Sequence, residues 1–390
     1  MKILHICLCG QFNENLSYQD NIITKYHSLS GNDVVIIAPT LKLSDDGTDE
    51  IFLDPLEKKI NNNIKLYRIP YFFNLKIIYK LRIYKGLQYL LKKEHPDFIF
   101  IHGTQFIDIR LVANYLKKNP HVVAVADNHS DYYNSARNLL SRIFLHKLLW
   151  RCCTHTILPY VKKIYGVTPL RCTFLKDVYR VPNNKVELLP LAADDLVLEK
   201  IQQEDNRITL REKLGFKQDD FILVTGGKID DNKNIHKIVS SIKGKFDKTN
   251  IKLVYFGSFS DKCSLEIKNY LKHVTDGHNI IYKGWLNSEE IYKMFLLSDV
   301  AIFPGLHSVL WEQAIATGIP CIFNELEGFE HLSEKGNALL VNGNDEKEIE
   351  EAIVLMYHDE KLYYRLKYKS VEASKSFRYS EISKKVLIHE

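Results

Sequence analysis

A chain of 390 residues, 45% hydrophobic and 26% charged, has room for two globular domains, and with no run of eighteen apolar residues it excludes a transmembrane helix. Its net charge of +5 suits an anionic cofactor or a membrane surface without establishing either, and nucleic acid is not an expected partner. The seven cysteines form no C-x-x-C and no metal spacing, so reduced thiols and a cytoplasmic setting are expected.

Met1–Ile6 reads as a core strand, not as a signal peptide, which needs a longer apolar run and a small-residue cleavage site. In chain order, the apolar runs Lys2–Cys9, Val34–Ala38, Lys65–Arg68, Phe98–Ile101 and Val122–Ala126 predict strands in the first half. Phe221–Thr225, Lys252–Phe256, Ile280–Tyr282, Val300–Phe303, Ile319–Phe323 and Ala338–Val341 predict them in the second. Helical patterns separate them, which implies parallel sheets covered on both faces. Two such sets predict an α/β chain of two doubly wound domains, 1–190 and 191–375.

Three stretches carry residues suited to chemistry. Asp127-Asn128-His129-Ser130-Asp131 follows the strand ending at Ala126. A histidine there sits at the ligand-binding edge of a parallel sheet, and either Asp127 or Asp131 can orient or charge it; the plain alternative is an exposed loop histidine. Thr225-Gly226-Gly227-Lys228-Ile229-Asp230-Asp231-Asn232-Lys233-Asn234 follows the first strand of the second half. Its glycines permit a tight turn, and Lys228 and Lys233 suit a diphosphate whose charge grows as it leaves; the alternative is a solvated basic loop. Val300 to Asn324 reads as strand, Pro304-Gly305 break, helix from about Ser308 to Thr317, Gly318 stop and second strand. A glycine turn feeding a helix N-terminus can hold a phosphate, and Glu312, one turn in, can accept bonds from ribose hydroxyls; the alternative is an ordinary parallel-sheet unit with a surface glutamate.

The last stretch resembles the nucleotide-sugar-binding segment of retaining family 4 glycosyltransferases ("glycosyl transferases group 1"), whose pattern is P-S-x-x-E-G-F-G-L-x-x-L-E-A-x-A-x-G-x-P-V. Glu312-Gln313-Ala314-Ile315-Ala316-Thr317-Gly318-Ile319-Pro320 matches its second half. Pro304 stands where the family carries its first glutamate, and His307 and Ser308 replace Gly and Leu. The resemblance implies the GT-B fold, two Rossmann-like domains facing across a cleft, with the last helix, about Tyr379 to His389 in the segment 376–390, crossing back to the first domain. It implies that Glu312 holds the ribose, that Lys228 and Lys233 stand in for the Arg and Lys of G-R-x-x-x-x-K-G, and that His129 contacts the donor sugar near the reacting carbon. Gly10 matches a glycine loop that closes over the donor phosphates, and Tyr18, Gln19 and Asp20 become acceptor contacts. His307, with the Gly305–Ser308 backbone, replaces the absent glutamate at the sugar. Glu327-Gly328-Phe329-Glu330 corresponds to G-G-x-x-E.

No D-x-D occurs, so no metal is expected, and no G-x-G-x-x-G occurs, which argues against a nicotinamide enzyme. No cofactor is expected beyond the nucleotide-sugar substrate. The resulting reading is a retaining, metal-independent transferase that moves a sugar from a nucleotide diphosphate, UDP before GDP, to a hydroxyl of a glycan or lipid-linked acceptor. Bacterial surface polysaccharide synthesis is the implied setting. A non-catalytic nucleotide-sugar binder or scaffold, or an epimerase, remains the alternative. Ala136–Arg151 reads as an apolar helix edged by basic residues, which can lie on the inner face of a membrane or pack within the domain. Tyr71-Phe72-Phe73, with Lys76, Lys80, Arg82 and Lys85, is a second such candidate.

Overall fold

The computed structural model describes residues 1–14, 18–44, 50–61, 63–73, 79–136, 138–139, 141–244 and 249–388. Lys76, Arg137, Leu140 and His389 lie outside them. The chain divides into two compact units, 1–190 with 381–390, and 191–380. Residues 376–380 therefore cluster with the second unit, and the helix Tyr379–Leu387 carries its later turns into the first.

The first unit holds β1 (Lys2–Ile6), β2 (Asp33–Pro39), β3 (Leu41–Leu43), β4 (Glu50–Phe52), β5 (Leu56–Asn61), β6 (Ile64–Ile69), β7 (Phe98–Ile101), β8 (Val123–Asn128), β9 (Ile164–Gly166) and β10 (Val186–Leu188). Its main sheet runs β10-β9-β8-β7-β1-β2-β6-β5, parallel except for the β5–β6 pair, while β3 and β4 form a separate antiparallel ribbon. β1, β2, β7 and β8 are almost wholly buried, as a parallel strand covered on both faces requires. The second unit holds β11 (Phe221–Gly226), β12 (Ile251–Phe256), β13 (Ile280–Tyr282), β14 (Val300–Phe303), β15 (Cys321–Asn324) and β16 (Ala338–Val341), parallel throughout in the order β13-β12-β11-β14-β15-β16. In both sheets the strand order reverses beside the first strand of the unit, β1 or β11, and ligands of doubly wound sheets bind at the carboxyl ends there.

Helix starts follow local chemistry. Asn287 and Glu290 form a reciprocal capping box on the helix Ser288–Leu297, and Thr168 caps Pro169–Asp177 with proline in its first turn. Several bounds differ from the sequence expectation. β1 stops at Ile6, and the chain Cys7–Gly10 leaves the sheet. β15 starts at Cys321, because Pro320 has no N–H to give a ladder. The helix expected from Ser308 runs Leu310–Ala316. The helix expected over 136–151 is π-wound over Ser141–Trp150 and continues as α-helix over Arg151–Ile157. The π-turn sends His146 and Trp150 inward and leaves Ile143, Phe144, Leu145 and Leu148 exposed.

Candidate functional site

In the first unit the candidate residues gather at the carboxyl ends of β1, β7 and β8, which are neighbours in the sheet. Asp127 is the next-to-last residue of β8 and is fully buried. Its Oδ1 accepts the Gly103 N–H at 2.8 Å; its Oδ2 accepts His102 Nδ1 at 3.0 Å and faces His129 Nε2 at 3.4 Å. Burial pushes the Asp127 carboxyl up, but His129 and His102 outweigh it and hold the group well below the usual carboxylate range. His129 itself is half-exposed. Asp131, the other candidate for orienting it, is occupied elsewhere. It caps the turn through Tyr133 N and Asn134 N and pairs with Arg171 Nε at 3.0 Å.

The helix α1 (Gln19–Leu29) starts beside this cluster. Burial raises Asp20 above the ordinary carboxylate value against the pull of His102 and His129, and Asp127 raises it further. The structure therefore brings Asp20 together with His129, Asp127 and His102. Gln19 is buried with neither amide atom hydrogen-bonded, and Tyr18, the residue before the helix, is exposed. Gly10 has open space where a Cβ would stand, so packing does not require glycine there.

In the second unit the loops after β11, β12, β14 and β16 meet by backbone contact, and glycines make the approach possible. A Cβ on Gly305 would lie 2.4 Å from Asn232 O, one on Gly343 1.6 Å from Pro304 O, and one on Gly257 1.9 Å from Gly227 O. Asn234, in the left-handed region at φ 55°, ties the assembly with its Nδ2 on Pro304 O and Gly343 O at 3.0 and 2.7 Å. Gly227 has φ 114°, and its missing Cβ leaves room for Leu310. Lys233 lies half-buried in this frame. Its Nζ donates to Leu306 O at 2.6 Å and approaches His307 O at 3.3 Å, and burial brings its ammonium down to about 8. Lys228 is exposed, so the two cations occupy different surroundings: one holds the turn after β14, the other is free to meet a ligand.

Glu312, in the first turn of the helix Leu310–Ala316, is fully buried. His307 Nε2 stands 2.9 and 3.0 Å from its two oxygens. Burial pushes the Glu312 carboxyl up, but His307 prevails and holds it below the ordinary value. His307 is thus a partner of Glu312 rather than a free side chain, and its ring also packs on Phe329 at 4.6 Å. Ser308 Oγ is buried and unpartnered. The Glu327–Glu330 loop lines a cavity of about 310 Å³ together with Trp311, Phe323 and Leu332. Glu325, Glu327 and Glu330 make that cavity acidic, which suits sugar hydroxyls and disfavours a diphosphate.

Sequence reasoning gave no role to Asn234, which closes the lysine motif, or to His102, and it missed the Glu312–His307 pair. The first two carried a signal: a polar residue at the end of a buried strand or in a tight turn needs a partner.

Comparison with known proteins gives these arrangements a family. Residues 206–372 match "Glycosyl transferases group 1", and residues 22–195 match "Glycosyltransferase Family 4". An uncharacterized glycosyltransferase of Methanocaldococcus jannaschii is 21% identical over 154 residues, a match spanning 39% of this chain and 39% of that relative. The alpha-monoglucosyldiacylglycerol synthase of Acholeplasma laidlawii is 24% identical over 319 residues, 75% of this chain and 76% of the synthase. Among solved structures, sucrose-phosphate synthase from Thermosynechococcus elongatus superposes with a TM-score of 0.70 at 15% identity, over 98% of this chain and 96% of the other. Anabaena HepE, in complex with UDP, gives 0.66 at 12% identity, over 99% and 98%. With both halves matched and the same two α/β units throughout, the chain belongs to the glycosyltransferases of the GT-B fold.

Proposed function

We propose that this chain is a retaining, metal-independent transferase that moves a sugar from a UDP-sugar to a hydroxyl of a glycan or lipid-linked acceptor, at a bacterial membrane surface where surface glycans are built. The observation that carries this reading is the contact of two turns in the second unit. The half-buried ammonium of Lys233 grips the carbonyls of Leu306 and His307, Lys228 stands exposed on the same loop, and Glu312 opens the next helix. Lys233 fixes the turn against which a diphosphate lies, and Lys228 meets the charge that grows as the C1–O bond breaks. Ribose hydroxyls donate to Glu312 in place of His307, so donor binding exchanges one partner of the carboxylate for another. HepE with bound UDP supports the choice of nucleotide, and the lipid product in the synthase's name supports a lipid-linked acceptor.

In the first unit, His129 is oriented by Asp127 toward the donor sugar, and Gln19 and Asp20 receive the acceptor hydroxyl. The unpaired Gln19 amide is suited to that hydroxyl. The acceptor oxygen bonds C1 as the diphosphate departs, and the hydroxyl proton leaves with the diphosphate. Exposed Ile143, Phe144, Leu145 and Leu148 beside exposed Lys147 fit the surface of an anionic bilayer.

The test is transfer by the purified chain from a panel of UDP- and GDP-sugars to diacylglycerol in vesicles, with and without anionic lipid. The reading expects activity that persists in EDTA, faster turnover on anionic vesicles, and a product with the anomeric configuration of the donor. Binding of UDP-sugar without transfer or hydrolysis would instead favour the non-catalytic reading.

A further inference from the structure

Behind Asp127 three imidazoles lie end to end inside the first unit. His102 Nδ1 meets Asp127 Oδ2 at 3.0 Å, His102 Nε2 meets His5 Nδ1 at 2.9 Å, His5 Nε2 meets His27 Nδ1 at 3.0 Å, and His27 Nε2 meets Ser383 O at 3.1 Å. The rings come from β1, α1 and the residue after β7, and the carbonyl from the helix Tyr379–Leu387. His5 and His27 are no more than 1% exposed and His102 is 7% exposed. The nitrogens face one another instead of a common point, and among the described residues no group of three or more His, Cys, Asp or Glu is placed to hold a metal ion.

The row has a proton count that its partners dictate. Both ends are pure acceptors, a carboxylate and a peptide carbonyl. Four contacts need four hydrogens, and three neutral imidazoles supply only three. Every arrangement that fills all four contacts therefore carries one proton beyond neutrality. A neutral row leaves two lone pairs facing each other in the interior, and an unsatisfied buried acceptor costs about 1–3 kcal/mol. The excess charge can sit on any of the three rings without breaking a contact. Burial, with the neighbouring rings, drives His5 well below the ordinary histidine value, and burial brings His27 down to about 4. Neither ring is suited to hold the charge alone, so the excess proton belongs to the row as a whole, which ends on the Asp127 carboxylate.

We propose that His5, His27 and His102 together store the one buried proton that their four contacts require beyond neutrality, and that this charge keeps Asp127 ionised and placed to orient His129. The second half rests on the role given above to His129. The other titratable groups that face the row are Asp20 of α1, which feels His102 and His129, and the Cys7 and Cys9 thiols, kept protonated by burial. Asp127 and the stored proton together are neutral, so the interior holds a matched pair rather than a lone charge. Because Ser383 O cannot pass a proton on, the row is a store and not a channel. His102, His5 and His27 are positioning residues.

The experiment is nitrogen-15 spectroscopy of the full chain labelled at histidine, at pH 8, where a histidine at its ordinary value of about 6.5 is neutral. Wild type is expected to show one ring with both nitrogens protonated. His27→Leu removes the carbonyl-bound end and lets the two remaining rings fill their contacts while neutral, so that signal should vanish. His27→Gln keeps a donor for Ser383 O and an acceptor for His5, so the signal should remain. In parallel, His27→Leu is expected to lower kcat by about tenfold with donor KM unchanged, and His27→Gln to restore it. A wild-type spectrum with every ring singly protonated overturns the stored proton. A stored proton accompanied by normal transfer in His129→Ala overturns only the orienting role, and with it the reading of His129.

Discussion

His307→Ala is expected to destabilise the second unit by about 3–5 kcal/mol at pH 7 to 8, because it leaves the Glu312 carboxylate buried without its partner. The pH dependence follows from the direction of the shift. In the wild type His307 holds Glu312 below the ordinary value, so the pair stabilises the fold above that value and the contribution fades as pH falls through the folded one. Without His307, burial is opposed only by His331 and the Glu312 backbone N–H, and the carboxyl moves up. The variant's deficit is then largest near neutrality and shrinks toward pH 5, where the group protonates. His307→Ala with Glu312→Gln should recover part of the loss. Denaturant titrations at pH 5 and 8 measure both effects, and a deficit below about 1 kcal/mol at pH 8 would show that the pair contributes little.

Gly257→Ala is the second large effect. The residue has φ 121°, and an added Cβ would stand 1.9 Å from the Gly227 carbonyl oxygen, a backbone atom held by the glycine turn after β11. Left-handed strain and overpacking each cost about 1–3 kcal/mol, giving about 2–6 together. The displaced carbonyl belongs to the residue before Lys228, so nucleotide affinity should fall with stability. Gly10→Ala is the control: its backbone is not left-handed and no atom lies within 4 Å of the added methyl. Its unfolding should shift by less than about 0.5 kcal/mol. Equal melting of Gly257→Ala and wild type would mean that the turn after β11 yields freely.

The strands that the sequence discloses are those with continuous apolar runs. Phe98–Ile101 and Val300–Phe303, buried on both faces, and Ile280–Tyr282 and Ala338–Val341, only partly buried, have the bounds those runs predict. Those that escape it lack that pattern. β5 is Leu-Glu-Lys-Lys-Ile-Asn on a sheet edge, β4 is exposed along its length, and β9 and β10 are three residues each. Such segments become strands through their neighbours. The site divides in the same way. Position along the fold marks His129, Lys228, Lys233 and Glu312, because parallel sheets place function at strand ends. Which partner each one has is a long-range fact. Asp127 and Asp131 are equally near His129 in sequence, and only the fold commits Asp131 to Arg171. His307 lies five residues before Glu312, but a turn must fold back for them to meet. The histidine row spans separations of 97 and 22 residues, and its one trace in the sequence is a polar residue inside or just beyond an apolar strand: His5, His102 and Asp127.

Calorimetric titration of UDP into wild type and Glu312→Gln tests the central claim most directly, since a nucleotide diphosphate seated on the loops of the second unit must exchange His307 for its ribose at that carboxylate. The account predicts measurable UDP binding by wild type and a loss of about ten- to a hundredfold in Glu312→Gln, with the variant fully folded at the titration temperature. Equal affinity in the two proteins, or no UDP binding by wild type, would contradict it.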